Sequence, residues 1–232
     1  AQQLYEAGHI TYMRTDSLNV AKSAQQEALA HIRKAYGADF LPPSPRLYKT
    51  KSKGAQEAHE AIRPTHVAAA PESLTGSVPA AQALYALIWR RFTASQMADA
   101  VFDTVGMDIT AAEYTFRATG QTVRFPGFLT VYHEEVEGEE APGNRPLPAC
   151  AVGDRLDLRA LRPEQHFTEP LPRYSEATLI KKLEEYGIGR PSTYAPTVKT
   201  IATRGYVTLR DRRFVPTPLG IAVNDLLVKH FS

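Results

Sequence analysis

The stretch Thr11-Tyr12-Met13-Arg14-Thr15-Asp16-Ser17 places a phenol two residues from a guanidinium and four from a carboxylate, with hydroxyls on both sides. A tyrosine hydroxyl, with an ordinary pKa of about 10, is a weak nucleophile at neutral pH unless a base or a cation favours the phenolate. Arg14 could stabilise that phenolate, or the charge that builds on a phosphate under attack. The same spacing also fits a packing tyrosine with a solvated tip. A second cluster, Gly189-Arg190-Pro191-Ser192-Thr193-Tyr194, offers different chemistry. If a helix starts there, its unpaired amides, the Ser192 and Thr193 hydroxyls and the Arg190 guanidinium converge on one phosphate. Tyr194 can stack on a base or pack against the preceding helix. A helix cap in a structural hairpin is the plain alternative for the whole element.

Both clusters need elements that hold them. Residues 2–6 read as helix, and an extended backbone over 10–14 would put Tyr12 and Arg14 on one face. Asn19 is placed to cap a helix with Ala21, Ala24, Ala28, Ile32 and Ala35 on one stripe and Gly37 as its stop. Leu41-Pro42-Pro43-Ser44-Pro45 cannot be helix interior. The basic residues Arg46, Lys49, Lys51 and Lys53 around Tyr48 read as a solvated loop or as a mobile loop contacting phosphates. Pro79 opens another helix, with Leu84, Leu87, Ile88, Arg91, Phe92 and Ser95 on a face and Trp89 beside it, its aromatics expected in the core. Alternation then predicts antiparallel strands at 101–109, 114–118, 122–125 and 129–132, an acidic loop at 134–140, and a strand at 154–161.

The C-terminal part changes period again. Ser175 is expected to cap a helix bearing Leu179, Ile180, Leu183 and Tyr186, which Gly187 ends. Ser192 is expected to cap a second helix running toward Arg204. Residues 206–209 and 213–215 form a hairpin around Asp211-Arg212, and a last helix starts at Thr217-Pro218. Helix, turn, helix and hairpin in that order resemble a winged-helix unit.

Three ordered stretches carry a family resemblance: Leu4-Tyr5-Glu6-Ala7-Gly8-His9-Ile10-Thr11-Tyr12-Met13-Arg14-Thr15-Asp16-Ser17; Ala55-Gln56-Glu57-Ala58-His59-Glu60-Ala61-Ile62-Arg63-Pro64-Thr65; and residues 175–207, with Gly187-Ile188-Gly189-Arg190-Pro191-Ser192-Thr193-Tyr194-Ala195-Pro196-Thr197 inside. They resemble bacterial type IA DNA topoisomerases. The resemblance covers essentially all 232 residues, but only the central portion of such an enzyme. It implies that Tyr12 attacks a phosphodiester in single-stranded DNA and becomes linked to the 5′ phosphate. Arg14 and His59 would be the other catalytic residues, His59 holding the nucleotide beside the break. Thr11, Asp16, Glu60 and Arg63 would support the site, with Arg63-Pro64 also readable as a structural corner. Arg190, Ser192, Thr193, Tyr194 and Arg204 would bind the single strand.

The resemblance further implies an α+β, multidomain fold: a helical gate domain at 1–98, a β-rich hinge or arch at 99–168, and a helical winged-helix-like domain at 169–232. The implied activity is magnesium-dependent, ATP-independent relaxation of negatively supercoiled DNA. Magnesium would be bound by a Toprim domain outside this sequence, with none expected here. Implied partners are single-stranded and negatively supercoiled DNA and the Toprim and C-terminal domains of the same parent chain. A monomeric, cytoplasmic, nucleoid-associated protein is expected.

The totals bound these readings. There are 27 Lys+Arg against 25 Asp+Glu, a net charge of only +2, so affinity for nucleic acid must come from local patches. The single Cys150 excludes an internal disulfide and a cysteine zinc cluster, and the His59-Glu60 pair lacks the second histidine of a metal motif. No Gly-x-x-x-x-Gly-Lys phosphate loop, signal peptide or membrane-length apolar run occurs. The sequence starts and stops within apparent helices, so an internal fragment is expected, one that holds the nucleophile yet cannot relax DNA alone. Two other readings stay open: a non-catalytic single-stranded-DNA-binding module, and the topoisomerase half of a reverse gyrase.

Overall fold

A short N-terminal helix, α1 (Gln2–Glu6), turns the chain straight back toward the core. Its end is closed by the Gly8 amide on the Tyr5 carbonyl at 2.9 Å and the His9 amide on the Leu4 carbonyl at 2.8 Å. That pairing needs a left-handed residue between them, and Gly8 supplies it with φ of 76°. The computed structural model describes residues 1–48, 59–74, 78–133 and 145–231. Lys49, Lys51 and Lys53, residues 55–58 of the second motif and the acidic tract at 134–140 lie outside them.

Helix α2 (Lys22–Tyr36) buries Ala24, Ala28 and Ile32 of the expected stripe together with Gln25, leaves Ala35 exposed, and stops at Gly37. Its N-cap is Ala21, not Asn19, and no side chain caps it. The Asn19 carbonyl instead accepts from the Ala61 amide at 2.8 Å. Helix α3 (Pro79–Ser95) starts at its proline and buries Tyr85, Trp89, Phe92, Thr93 and Ala94. The buried face is rotated from the expected one, leaving Leu87 half exposed. The aromatics dictate that rotation, because they bury the most area and their polar tips find partners: Trp89 Nε1 donates to the Val67 carbonyl at 2.8 Å and the Tyr85 hydroxyl to the Ala69 carbonyl at 2.7 Å.

Strands β1 (Val101–Ala111) and β2 (Tyr114–Phe125) form one long antiparallel hairpin, in register at Ile109 with Phe116 and Met107 with Ala118. The two strands expected at 114–118 and 122–125 are therefore one. Residues 129–132 are not a strand: Gly127–Thr130 is a single 3-10 turn. Residues 154–161 are not a strand either; among the described residues none pairs with them as a strand, and Leu156 and Leu158 are both exposed, so alternation there reflects no buried side.

Helix α4 (Glu176–Glu185) carries the expected cap, a reciprocal box between Ser175 and Thr178. Helix α5 (Tyr194–Thr203) and strands β3 (Val207–Arg210) and β4 (Arg213–Pro216) follow, then helix α6 (Pro218–Phe231). Asp211 and Arg212 both have positive φ, as a two-residue hairpin turn requires. The Phe214 amide donates to the Tyr174 carbonyl at 2.8 Å, docking the entry to α4 on β4. The chain is thus mixed helix and sheet, of the α+β class, and none of the helices among the described residues is long and apolar enough to cross a membrane.

Contacts divide the chain into two units. The first holds the described residues of Ala1–Met13, Leu18–Lys49 and Glu60–Arg159; the second holds those of Arg14–Ser17, Thr50–His59 and Ala160–Ser232. The core of the first joins Leu4, Ile10, Leu74, Tyr85 and Trp89, with Ala28, Val67 and Phe92 as a neighbouring cluster.

Candidate active site

Tyr12 is carried between two anchors. Ile10, 1% exposed, and Met13 both pack into the cluster around Tyr85 and Trp89. The Tyr12 ring meets Tyr5 edge to face, with centroids 5.4 Å apart, because the turn at Gly8 folds α1 back over it. Only Ile10 pairs as a strand residue, and the backbone bends at Thr11, Met13 and Arg14. The extended run expected over 10–14 is therefore absent, and the alternation argument for Tyr12 and Arg14 sharing a face does not apply.

The first and second motifs are stitched together by backbone. Ile10 faces Pro64 in an antiparallel bridge, flanked by the Thr11 amide on the Arg63 carbonyl at 2.9 Å and the Thr65 amide on the His9 carbonyl at 3.0 Å. In this register the facing pair needs no amide of its own, which is why a buried proline fits. The Thr11 hydroxyl donates to the Ala61 carbonyl at 2.7 Å and accepts from the Arg63 amide at 2.9 Å. Thr65 fastens the other end, its hydroxyl donating to the Gly8 carbonyl at 2.6 Å. Glu27, Trp89 and Tyr85 then hold the backbone at 67–69, Glu27 Oε1 accepting from the Val67 amide at 2.9 Å.

Arg63 is spent locally. Its guanidinium donates to Glu60 Oε2 at 3.0 and 2.7 Å and to the Pro64 carbonyl at 3.0 Å. Its side chain is 13% exposed, so Glu60 supplies the counter-charge that such burial requires. The pair braces the corner beside Thr11. Arg14, Asp16 and His59 belong to the second unit, whereas Tyr12, Thr11, Glu60 and Arg63 belong to the first.

The basic loop is corrected at the residues described. Arg46 pairs with Asp99 at 2.8 Å and donates to the Met97 carbonyl at 3.3 Å, and the Tyr48 hydroxyl donates to the Ser95 carbonyl at 2.6 Å. Tyr48 caps the last carbonyl of α3, which lacks a helical partner, and Arg46 holds the segment just beyond it. They strap the fold rather than await a phosphate.

In the second unit the cluster at 189–194 is also arranged differently from expectation. The N-cap of α5 is Thr193, not Ser192, and no side chain caps the helix. The Thr193 hydroxyl accepts from the Arg190 amide at 2.8 Å and donates to the Arg190 carbonyl at 3.0 Å, closing the turn. The Arg190 guanidinium folds onto the Gly189 carbonyl at 2.7 Å. Gly189 has φ of 83° and lies against Thr193 and the Tyr194 ring, so a side chain there would be strained and crowded. Thr193 is thus committed to the turn, while Arg190, Ser192 and Arg204 are exposed. Burial holds the Tyr194 phenol above its usual pKa, with Glu184 and Asp16 adding to the effect and Arg190 opposing it. Asp16 of the first motif is thereby within electrostatic reach of the helix-start cluster.

Thr65, Tyr5 and the Asn19 carbonyl are contributors that spacing did not single out. Their roles depend on the Gly8 turn and on pairing across more than 40 residues, which no local pattern encodes.

Comparison with known proteins fits this geometry. A family model described as DNA topoisomerase matches residues 1–232. DNA topoisomerase 1 of Xylella fastidiosa strain 9a5c is 46% identical over 246 residues, which cover 100% of this chain and 30% of that protein. The enzyme of the Temecula1 strain matches to the same extent. Full-length topoisomerase I from Thermotoga maritima has a similar structure, with a TM-score of 0.73 and 34% identity over 96% of this chain and 35% of its own. The chain therefore spans about a third of the length of the relatives it matches. With the family match extending over every element that holds Tyr12 and the 189–194 cluster, this chain belongs to the bacterial type IA DNA topoisomerases.

Proposed function

We propose that the chain supplies the nucleophile and part of the single-strand path of an enzyme that relaxes negatively supercoiled DNA. The Tyr12 oxygen gives up its proton and attacks a backbone phosphorus, the P–O bond to the 3′ oxygen breaks, and the released 3′ oxygen takes up a proton to become a hydroxyl. Another strand passes through the protein-linked gap. The hydroxyl then attacks the phosphotyrosine and releases Tyr12. One phosphodiester replaces another, so the cycle needs no ATP. Arg14 and His59 stabilise the phosphate charge, and Arg190, Ser192, Tyr194 and Arg204 receive the strand. The proposed division of labour is a gate at 1–98, a hinge at 99–168 and a DNA-binding module at 169–232.

The observation that carries this reading is the stitching of residues 9–11 to 63–65, which fixes the backbone on the N-terminal side of Tyr12 while Met13 anchors the other. Such over-determined support is what a reacting group needs. Magnesium is part of the proposal for the longer protein. Among the described residues no three His, Cys, Asp or Glu side chains cluster as metal ligands would, so no group here is assigned to it.

The test uses the intact parent protein, magnesium and a 3′-labelled single-stranded oligonucleotide, with denaturation to trap the adduct and peptide mapping to locate it. A labelled adduct on Tyr12 is expected, since a 5′-phosphotyrosine link retains the downstream piece. Tight binding with no adduct would reduce the chain to a binding module. The 232-residue chain by itself is expected not to relax supercoiled plasmid, with or without magnesium.

A further inference from the structure

We infer that the Thr11 hydroxyl is a positioning device that ends the pairing of the two motifs one residue before Tyr12 and so turns the nucleophile out of the strand; this rests on Tyr12 being the nucleophile. In a regular antiparallel ladder, Thr11 and Arg63 would exchange two backbone bonds, and the Arg63 amide would donate to the Thr11 carbonyl. The first bond is present, from the Thr11 amide to the Arg63 carbonyl at 2.9 Å. The second is diverted. The Arg63 amide donates to the Thr11 hydroxyl oxygen at 2.9 Å, and the hydroxyl passes its own proton to the Ala61 carbonyl at 2.7 Å.

One side chain thus takes the place of its own carbonyl as acceptor. Three consequences follow from the geometry. The ladder stops after the single Ile10–Pro64 bridge, and the backbone bends at Thr11 rather than continuing as a strand through Tyr12. Ala61 is fixed from two directions, its amide on the Asn19 carbonyl at 2.8 Å and its carbonyl on Thr11, which ties the residue after Glu60 both to the first motif and to the chain just beyond it. A hydroxyl is the only group of this size that accepts and donates at once; valine has the same shape and does neither.

Removing the hydroxyl therefore does more than delete two bonds. With Thr11→Val, the Arg63 amide is free to take the Thr11 carbonyl, pairing extends by one residue, and Tyr12 is drawn toward the ladder. Thr11→Ser keeps the oxygen and its proton.

The experiment compares single-turnover adduct formation by the intact wild-type protein, Thr11→Val and Thr11→Ser on one labelled oligonucleotide at saturation. Amide hydrogen exchange is followed at Arg63 and Thr65 alongside. Thr11→Val should slow adduct formation at saturation by about 10- to 100-fold, the scale of a misplaced reacting group, with oligonucleotide affinity within about 2-fold. Thr11→Ser should restore the rate to within about 3-fold of wild type. The Thr65 amide, which donates to His9, should stay protected in Thr11→Val, showing that the pair remains folded. A Thr11→Val rate equal to wild type, or a Thr11→Ser as slow as Thr11→Val, would overturn the inference. An adduct absent from wild type, or persisting in Tyr12→Phe, would instead sink the nucleophile reading on which it stands.

Discussion

The two places where chemistry was expected are built on opposite plans. Around Tyr12 the partners are distant in sequence: Thr11 bonds to residues 50 and 52 positions away, Thr65 reaches Gly8, and Trp89 and Glu27 converge on Val67. Around Arg190 they are neighbours, with Ser175 bonded to Thr178, Arg190 to Thr193 and Lys182 to Glu185. Helices α4 and α6 bury no residue, whereas α3 buries five. A reacting group must be held to a fraction of an ångström, and long-range burial does that. Contacts to a flexible strand must adapt, and locally closed turns with exposed side chains suit them.

Tyr12→Phe gives the largest effect expected from this contrast. It should abolish covalent capture of oligonucleotide by the intact protein while leaving binding measured by fluorescence anisotropy within about 2-fold, because only the attacking oxygen is lost. Loss of binding in step with chemistry would show that the tyrosine is a contact rather than a nucleophile.

Trp89→Ala comes next. Its ring is 6% exposed and its indole nitrogen is bonded, so truncation should cost about 3–5 kcal/mol of unfolding free energy and disturb the 67–69 backbone behind the second motif. Ser175→Ala, at the cap of α4, should cost only about 1 kcal/mol. Chemical denaturation of the two variants compares them directly, and similar losses would erase the distinction between the two plans.

Arg190→Ala probes the adaptable side. Its guanidinium is exposed and rests on the Gly189 carbonyl, so substitution should leave stability within about 0.5 kcal/mol. It should weaken single-stranded DNA uniformly across sequences and lower the slope of log affinity against log salt by about 0.7. A loss confined to particular sequences would point to base reading instead.

What was legible in the sequence follows the same divide. The middle of the α2 stripe, Ala24, Ala28 and Ile32, the Gly37 stop, the Ser175 cap and the Asp211-Arg212 turn are local features, and all were readable from spacing. The strand expected at 154–161 failed because alternation reveals a strand only when something covers one side. Ser192 and Asn19 failed as caps for another reason: a hydroxyl or amide near a helix start competes with several other donors and acceptors, and spacing does not show which wins. Arg46 and Tyr48 read as part of a solvated loop or one contacting phosphates because their partners, Asp99 and the end of α3, lie about 50 residues on. The motif order exposed Tyr12, but the clip made by Thr11 is invisible without the pairing of residues 10 and 64.

The smallest effect tests how far the rigid plan extends behind the motif. His31 on α2 meets the Trp89 ring edge to face at 5.6 Å, and burial holds its pKa below the ordinary 6.5, with Glu27 opposing and Lys34 adding to the shift. At pH 8 the imidazole is neutral whether the chain is folded or not, so it contributes no pH dependence. As pH falls through 6.5 the unfolded chain takes up the proton more readily than the folded one, and stability declines until the lowered folded-state pKa is passed. His31→Gln should therefore flatten the acid-side fall, seen as a smaller difference between urea midpoints at about pH 5.5 and 8 than in wild type. If the variant keeps the full difference, the slope comes from carboxylates elsewhere, and the packing of α2 on Trp89 leaves the protonation of His31 unconstrained. Glu27 faces this histidine and also holds the Val67 amide, so the double variant with Glu27→Gln separates the two: only the histidine term should vanish with His31, while the Val67 anchor weakens with Glu27 alone.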